Sequence, residues 1–397
     1  MPTVAVVGGS LGGLTAALVL ADAGCDVTVL ERSARTLEAR GAGICVLDET
    51  VRWFAERTDT PPAQLCSRTR VIRFLDDRGG VVHERAHGYR FSSWNTIYRA
   101  LLAELPARRY RLDAEVVAFG DARGGVELEL RGGERLRADL AVHADGIGST
   151  ARARLFPGVV PAYAGYVAWR GTVPEAELPA EVLGRLADAI TYQVLPDGGG
   201  GPGHVLVYPI PGPDGAREPG ARLMNVVWYR NVAPGPALDE LMTDRDGNRR
   251  PVSLPPGSMR PEPVAALLAD ARRYLAPVLA EVVTRLPQPF VQVVYDIDVP
   301  GMVAGRSCLV GDAAFAVRPH AAAGTAKAAA DGWELGAQLT AAGGDVPGAL
   351  AAWEERQLAL GRALLRRNRE IGEASQRHGT FTPGDPALLF GLRGPGR

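Results

Sequence analysis

Short apolar runs flank an amphipathic segment at the start of the chain. Residues 4–7 are continuously apolar, as in a strand that is buried on both faces. Residues 14–23 follow with apolar side chains at helical spacing, and Gly24 ends the segment. A second apolar run, 26–30, ends at Glu31. The order predicts a strand, a helix and a parallel strand, which together form a βαβ unit.

Further along, apolar and polar positions alternate, and this pattern predicts an antiparallel sheet. The segments with strand character are residues 70–74, 81–84, 163–172, 189–195, 204–210 and 223–229. Helical spacing returns within 265–286 and in the arginine-rich run 347–375, which predicts a covering helix with a solvated face. Four consecutive glycines at 198–201 predict a hairpin tip.

Composition excludes several classes of protein. The 397 residues suffice for two packed domains or one elaborated domain, 46% of them are hydrophobic, and the formal net charge is −1. This balance gives no reason to expect nucleic acid or a membrane surface as partner, and no apolar stretch reaches the length of a membrane span. The four scattered cysteines suggest free thiols rather than disulfides or a metal site. We expect a cytoplasmic protein, since the first apolar run leads into a glycine turn and not into a cleavage site.

The turn between the first strand and the first helix reads GGSLGG, from Gly8 to Gly13. It matches the dinucleotide fingerprint G-x-G-x-x-G except that Ser10 stands at the middle glycine. Gly8 suits the tight turn, Gly13 allows helix and strand to approach, and the helix N-terminus offers N–H groups to a pyrophosphate. Glu31 is placed to accept hydrogen bonds from ribose hydroxyls. The whole context predicts a dinucleotide site.

Two later motifs decide which dinucleotide. Asp145-Gly146 follows one strand, and Gly311-Asp312 follows another and leads through Pro319 to a helix near Gly324. Together with the glycine turn, they resemble the class A flavin-dependent aromatic hydroxylases, which have the p-hydroxybenzoate hydroxylase fold. Residues 163–174, 207–212, 238–244 and 318–328, together with the serine in the turn, resemble the branch typified by 2,6-dihydroxypyridine 3-monooxygenase.

The resemblance implies an α/β fold: a Rossmann-like FAD-binding domain, an interleaved antiparallel-sheet substrate domain and a long C-terminal helix. We expect the FAD-binding domain to comprise residues 1–68, 94–160 and 287–397, and the substrate domain residues 69–93 and 161–286. The protein is expected to be a monomer or a homodimer.

The implied activity is hydroxylation of an electron-rich aromatic or N-heteroaromatic substrate (hydroxypyridine-like, phenol or indole) through a flavin C4a-hydroperoxide. FAD is the implied cofactor, O₂ the oxidant, and NADH or NADPH a transient reductant. The sequence has one such glycine turn, which agrees with a reductant that binds only transiently. An enzyme that holds FAD and NAD on separate Rossmann domains needs a second glycine turn. The alternatives are another single-Rossmann flavoenzyme, such as a reductase or a halogenase, and a non-catalytic flavin-binding protein. The halogenase motif W-x-W-x-I-P is absent from the sequence.

The resemblance also implies roles for individual residues. Asp312 would accept from the ribityl hydroxyls of FAD, and the following helix start would face the flavin pyrimidine edge. The family's usual Asn is Ala326 here, so we expect backbone N–H groups to replace its contact. Lys327, the only lysine, either adds positive charge there or faces solvent. Arg99 either reaches the pyrophosphate or is a surface arginine. The predicted cofactor-binding residues are Gly8, Ser10, Leu11, Gly13, Glu31, Arg32, Gly43, Arg99, Val116, Asp145, Gly311, Asp312, Gly324, Thr325, Ala326 and Lys327.

Two positions differ from the family pattern. His143 stands before Asp145-Gly146, and Phe315 stands after Gly311-Asp312. The segment 40–44, which contains Gly43, resembles the family's loop beside the flavin ring, where small residues let the ring move.

Aromatic and polar side chains on the predicted sheet form a candidate substrate wall. Tyr192 and Trp228 are predicted to bind substrate, although a tyrosine or tryptophan on a strand is more often a core side chain. His204, His320 and Tyr208 are the predicted catalytic residues, because an imidazole of near-neutral pKa can take a proton from a phenol-like substrate.

Overall fold

The computed structural model describes residues 2–38, 42–197 and 201–397. Strands and helices alternate through most of the described chain in a mixed α/β arrangement. The strands are β1 (Thr3–Val7), β2 (Asp26–Leu30), β3 (Gly43–Cys45), β4 (Ser67–Arg68), β5 (Val71–Leu75), β6 (Val81–Ala86), β7 (Arg90–Ser93), β8 (Tyr110–Arg111), β9 (Val116–Ala122), β10 (Gly125–Leu130), β11 (Arg135–Ala138), β12 (Leu140–His143), β13 (Ala162–Pro174), β14 (Ala189–Leu195), β15 (Gly203–Ile210), β16 (Leu223–Asn231), β17 (Ser253–Leu254), β18 (Phe290–Asp296), β19 (Val303–Ala304) and β20 (Ser307–Leu309).

The α-helices of the described residues range from one and a half turns to more than seven. They are α1 (Leu11–Asp22), α2 (Asp48–Arg57), α3 (Trp94–Glu104), α4 (Thr150–Leu155), α5 (Ala180–Leu186), α6 (Pro236–Leu241), α7 (Pro261–Tyr274), α8 (Pro277–Thr284), α9 (Gly324–Ala341) and α10 (Val346–Gly372). Short 3₁₀ turns occur between them, and a single π turn, Glu373–Arg377, extends α10. No helix among the described residues is long and apolar enough to cross a membrane.

The predicted βαβ unit lies at the centre of a six-stranded sheet. Its strand order is β19-β20-β12-β1-β2-β8, and all neighbours are parallel except β19 and β20. β1 is buried from Val4 to Val7, as expected for a parallel strand with helices on both faces. Helices α1 and α9 pack closely because Gly332 and Gly336 present no Cβ against α1. Because β1, β12 and β20 are parallel, their carboxyl ends meet at one edge of the sheet, and parallel sheets bind ligands at this edge.

The second large sheet has eight strands in the order β17-β18-β13-β16-β15-β14-β5-β6. All neighbours are antiparallel except β14 and β5. One face packs on α7 and α8, and its side chains include Val205, Val226 and Trp228. The other face carries aromatic side chains towards the six-stranded sheet and the C-terminal residues. Both faces are buried over the central strands, whereas the edge strand β6 is largely exposed. The alternation along each strand decides which face a side chain joins.

These features confirm the predicted fold class, with the long C-terminal helix realised as α10. The helical stretch 265–286 is two helices that are interrupted before Pro277. Two three-stranded sheets, β11-β10-β9 and β3-β7-β4, complete the strand arrangement. The predicted hairpin tip lies largely outside the described residues. We retain the two-domain boundaries as a proposal, supported by separate hydrophobic clusters under the two large sheets.

Candidate functional site

The glycine turn after β1 packs directly against the end of β12. Gly8 has φ +103°, and a Cβ there would overlap the carbonyl oxygen of Ala144. A Cβ on Gly13 would overlap the carbonyl oxygen of Gly8. Both glycines are therefore required by close backbone approach, as the fingerprint predicts. This approach brings the Asp145-Gly146 motif next to the turn.

Glu31 supports the same turn from β2. Its carboxylate is buried and accepts hydrogen bonds from the backbone N–H groups of Gly9 and Ser33, each at 2.9 Å. Tyr110 donates its hydroxyl hydrogen to the Gly9 carbonyl at 3.1 Å. Glu31 thus already shapes the turn without a ligand, and its contact with ribose hydroxyls stays a prediction.

A cavity of about 540 Å³ lies between the two large sheets. It combines the three predicted motifs with the β3 segment, and its lining includes Ser10, Leu11, Gly12, Gly43, Ala144, Gly146, Gly311, Asp312, Gly324 and Thr325. The N-termini of α1 and α9 both reach this cavity, and neither helix has a side-chain cap. Their first N–H groups therefore have no partner within the helix, and they favour anionic groups.

These residues fit FAD. The α1 N-terminus and Ser10 would hold the pyrophosphate, and Asp312, whose side chain is exposed to the cavity, would accept from ribityl hydroxyls. The α9 N-terminus would face the electron-rich flavin edge. Gly8 and Gly13, where a Cβ would overlap a backbone carbonyl oxygen, are the positions where a dinucleotide site needs the closest backbone approach.

The Gly311-Asp312 turn is fixed from below by a buried ion pair. Gly311 has φ +58° and donates its N–H to Asp331 Oδ2 at 2.8 Å. The same oxygen accepts from Lys327 Nζ at 2.7 Å, and both side chains are almost fully buried. The alternative that Lys327 faces solvent is therefore wrong, whereas its contribution of positive charge near the flavin stays a prediction. Helical spacing orients it into the protein interior, and its place is behind the turn.

The turn before α9 also departs from the family pattern in an explicable way. Ala322, where the family has glycine, is left-handed at φ +53°. The Ala321 N–H donates to Asn368 Oδ1 of α10 at 2.8 Å, which holds the turn in place. Ala326 is fully buried among apolar side chains, and its side chain does not line the cavity, which agrees with a role for its backbone alone. Contact through backbone N–H groups stays a prediction.

The β3 segment is attached to the eight-stranded sheet. The Gly43 N–H donates to Asn225 Oδ1 at 2.8 Å, and the Gly43 carbonyl accepts from the Arg170 guanidinium. A Cβ at Gly43 would meet the Asn225 side chain, so only glycine fits. Residues 40 and 41 of the predicted flavin loop lie outside the described residues.

Besides Gly8, Gly13, Glu31, Ala326 and Lys327, which are described above, four more predicted cofactor residues do not line the cavity. Asp145 instead accepts from the Thr150 N–H at 2.8 Å at the start of α4, while its other oxygen is buried and unpaired within the described chain. Arg99 is 59% exposed and lies 3.8 Å from a Glu38 carboxylate oxygen. The remaining two are Arg32, which is exposed, and Val116, which begins β9. Their contacts with the cofactor stay predictions.

A second, smaller compartment of about 50 Å³ adjoins the large cavity. Leu206, Tyr229, Pro319 and Phe390 line both spaces. The compartment brings together His204 and His320, whose ring centroids are 5.5 Å apart. Its other lining residues include Phe74, His83, Tyr89, Tyr192, Phe381, Leu388 and Leu389.

Comparison with known proteins agrees with this geometry. Residues 1–58 match the family described as FAD binding domain, and residues 163–296 match FAD binding domain-like. The chain is 39% identical over 392 residues to 2,6-dihydroxypyridine 3-monooxygenase of Paenarthrobacter nicotinovorans, covering 98% of this chain and 95% of that protein. The chain belongs to the class A flavin-dependent monooxygenases.

Further relatives support the assignment. The solved structure of 2,6-dihydroxypyridine-3-hydroxylase from Arthrobacter nicotinovorans superposes with a TM-score of 0.92 at 38% identity, covering 99% of this chain and 98% of that one. The 3-amino-4-hydroxybenzoate 2-monooxygenase PtnB3 of Streptomyces platensis is 29% identical over 94% of this chain and 88% of its own length. FAD is thus the cofactor of this monooxygenase, and NAD(P)H is the reductant typical of its family.

Burial changes the chemistry predicted for the histidines of the monooxygenase. Burial lowers the pKa of His204 to about 3, and burial together with the neighbouring His204 and Arg318 lowers the pKa of His320 well below its usual value. The expectation of near-neutral pKa values is therefore wrong for these two groups, which are uncharged at neutral pH. Burial also raises the pKa of Tyr208 to about 12 and keeps its phenol protonated.

The prediction that Trp228 binds substrate is wrong. On β16 it pairs with Val205 and points into the cluster beneath α7 and α8, on the face away from both cavities. Its neighbour Tyr229 pairs with His204 and lines both spaces. A shift of one residue along a strand exchanges its two faces, and the sequence shows alternation without showing which face meets the flavin side.

Several site residues of the monooxygenase were not found from the sequence. Tyr229 directly follows Trp228, so the alternation along β16 would have found it if the opposite face of the strand had been chosen. Tyr166, whose hydroxyl lies 2.6 Å from His320 Nε2, is distant in sequence and carried no local signal. Phe381, with its ring centroid 5.0 Å from that of His204, lies in a C-terminal segment without a periodic pattern.

Proposed function

We propose that this monooxygenase hydroxylates a small, electron-rich, hydroxylated N-heteroaromatic ring and consumes NAD(P)H and O₂. The observation that carries the proposal is the small compartment behind Tyr229, which offers two neutral imidazoles in an aromatic enclosure. An aromatic ring suits the stacked walls, and the imidazoles suit ring oxygens or nitrogens. The relative with 39% identity is named for a dihydroxypyridine, which supports the same class.

Two adjoining spaces have separate roles in this proposal: the large cavity binds FAD, and the small compartment encloses the substrate. FAD, once bound in the large cavity, supplies the activation of O₂ and the transfer of one oxygen atom to the ring. Leu206, Tyr229 and Phe390 line both spaces and form the apolar junction from which water must be excluded. The glycine turn, Asp312 and the α9 N-terminus position and stabilise the cofactor, as described above.

A larger phenol or indole is the second candidate class. The compartment of about 50 Å³ adjoins the large cavity, so its own volume does not separate the two classes. The relative with 39% identity is named for a single-ring compound, and this favours the single-ring class.

The test is a screen of NADH and NADPH oxidation by the FAD-loaded protein with hydroxypyridines, phenols and indoles, followed by product mass. We expect a hydroxypyridine to stimulate oxidation and to yield a product heavier by one oxygen atom. If only phenols or indoles are hydroxylated, the substrate class is wrong. If no aromatic compound gains oxygen, the monooxygenase proposal itself is wrong for this chain.

A further inference from the structure

One nitrogen of His320 has no partner. Nδ1 is buried and makes no hydrogen bond within the described residues, although the His320 side chain lines the small compartment. His320 is only 7% exposed. A buried polar atom without a partner costs free energy, so its partner is expected to come from a ligand in that compartment.

The other nitrogen is held by Tyr166. Nε2 lies 2.6 Å from the Tyr166 hydroxyl oxygen, a short distance for a hydrogen bond between neutral groups. Two arrangements are conceivable: either Nε2 carries the hydrogen and donates to Tyr166, or Tyr166 donates to an unprotonated Nε2.

The distance decides between them. An O–H donor makes shorter hydrogen bonds than an N–H donor, and 2.6 Å lies in the range of an O–H donor. The nearby Arg318 guanidinium, whose central carbon lies 5.9 Å from the Tyr166 ring centroid, offers no acceptor for the Tyr166 hydrogen. Ion pairs to Asp296 at 3.1 Å and Glu373 at 2.9 Å keep Arg318 in place. Tyr166 therefore donates to Nε2, and the one hydrogen of the neutral imidazole stands on Nδ1.

We propose that Tyr166 fixes His320 as the tautomer with its hydrogen on Nδ1, so that His320 donates a hydrogen bond to a substrate oxygen and does not act as its base. The substrate oxygen must then be an acceptor, as in the oxo (pyridone) tautomer or the oxyanion of a hydroxypyridine. Tyr166 is a positioning residue in this arrangement. This inference deepens the proposed function and rests on it for the substrate class.

The surroundings of His320 are consistent with a donor. The titratable groups packed against it are Tyr166 from β13, His204 from β15, Tyr229 from β16 and Arg318 from its own segment. None of these four is a carboxylate that could stabilise an imidazolium. An oxyanion bound at His320 would therefore meet donors and a nearby guanidinium, while the one carboxylate that lines the described compartment, Asp385, accepts from the Ala387 N–H in the C-terminal wall.

The first experiment separates a donor from a base. In His320→Asn the amide nitrogen replaces Nδ1 as a donor but cannot accept a proton, whereas His320→Ala removes both functions. Binding of 2-pyridone to the FAD-loaded protein is followed by the flavin absorbance change, with pyridine as the ligand without oxygen. We expect the alanine variant to raise the 2-pyridone dissociation constant about 10- to 100-fold, as for a hydrogen bond to a charged or strongly polar oxygen, and the asparagine variant to raise it less than about 5-fold.

Equal losses in the two variants would overturn the donor assignment. Failure of 2-pyridone to bind the wild-type protein would overturn the ligand assignment. Binding without turnover of any hydroxypyridine would instead contradict the proposed function and leave the role of His320 intact.

The second experiment reads the tautomer without any ligand. Nitrogen NMR of protein labelled at histidine, with the His320 signals assigned from the asparagine variant, distinguishes a protonated Nδ1 from a protonated Nε2. We expect the Nδ1–H tautomer in wild type and a mixture in Tyr166→Phe. Tyr163→Phe is the matched control. Tyr163 lies on the same strand as Tyr166, and its hydroxyl donates to the Val232 carbonyl. A protonated Nε2 in wild type would overturn the proposal.

Discussion

At the residue scale, the site depends on buried polar side chains whose partners come from distant parts of the chain. Lys327 is the clearest case. Its ammonium group pairs with the Asp331 carboxylate, and that carboxylate also accepts a hydrogen bond from the Gly311 N–H behind the cavity. A buried pair of this kind is strongly destabilised when one partner is removed, because the remaining charge is left without compensation.

Lys327→Met should therefore lower the free energy of unfolding by about 3 kcal/mol and weaken FAD binding. Adding Asp331→Asn should recover part of both losses, because the amide still accepts from Gly311 and carries no charge. Denaturant unfolding and FAD titration measure these effects. The control is Arg356→Ala, which breaks a more exposed pair between Arg356 of α10 and Glu334 of α9, the helix that carries Lys327, and should cost less than about 1 kcal/mol. A single variant as stable as wild type would contradict the role given to the pair.

The buried imidazole of His204 makes stability depend on pH. Its folded pKa is about 3, whereas an unfolded histidine has a pKa of about 6.5. Between these values the unfolded chain binds a proton that the folded chain does not, so stability falls as the pH decreases from about 6.5 towards 3. His204→Asn should reduce this slope by up to about 1.4 kcal/mol per pH unit in urea unfolding at pH 7, 6 and 5. His378→Gln, at an exposed position, is the control, and an unchanged slope in His204→Asn would refute the assignment.

At the element scale, helix starts and strand ends determine where ligands can bind. α1 and α9 each direct an uncapped N-terminus into the same cavity, although they are separated by some 300 residues of sequence. The turn before α9 achieves this by placing Ala322 in the left-handed region. A glycine adopts this conformation without strain, and a β-branched residue adopts it poorly.

Ala322→Val should accordingly destabilise the protein by more than about 2 kcal/mol and impair FAD binding, because the strain falls on the turn that delivers α9. Ala322→Gly should change stability by less than about 1 kcal/mol, since the relief of strain is offset by the greater freedom of the unfolded chain. Thermal unfolding with and without FAD measures both effects. If valine is tolerated as well as glycine, the turn does not need the left-handed conformation.

At the scale of the whole molecule, the C-terminal segment closes the substrate compartment. Residues 381–390 supply one wall, and the Phe390 N–H donates to the Tyr89 hydroxyl at 3.0 Å. Arg367 of α10 donates to the carbonyl oxygens of Gly391 at 2.8 Å and Ala387 at 3.3 Å, and also to that of Leu389. One side chain thus attaches the segment to α10.

Arg367→Met should release this segment. We expect amide exchange in residues 386–393 to accelerate about 10- to 100-fold, which corresponds to the loss of hydrogen bonds from a charged donor, and the KM for the small substrate to rise. Hydrogen-exchange mass spectrometry and steady-state kinetics measure the two effects. Arg366→Met is the neighbouring control, since that side chain is exposed and its loss should leave both unchanged. Unchanged exchange in Arg367→Met would show that the segment is held by its apolar contacts alone.

The sequence by itself determined the FAD-binding half and the class of chemistry. The βαβ unit and the glycines that must lack a Cβ are local signals, because each depends on neighbouring residues and on backbone conformation. The class of chemistry followed from the family resemblance that the three motifs carry in their order along the chain. Only the tertiary structure decided that Trp228 faces away from the site, that Lys327 is buried beneath Asp312's turn, and that Tyr166 holds His320. These outcomes depend on which face of a strand or helix meets another element, and periodicity reveals that two faces exist without revealing what each one meets.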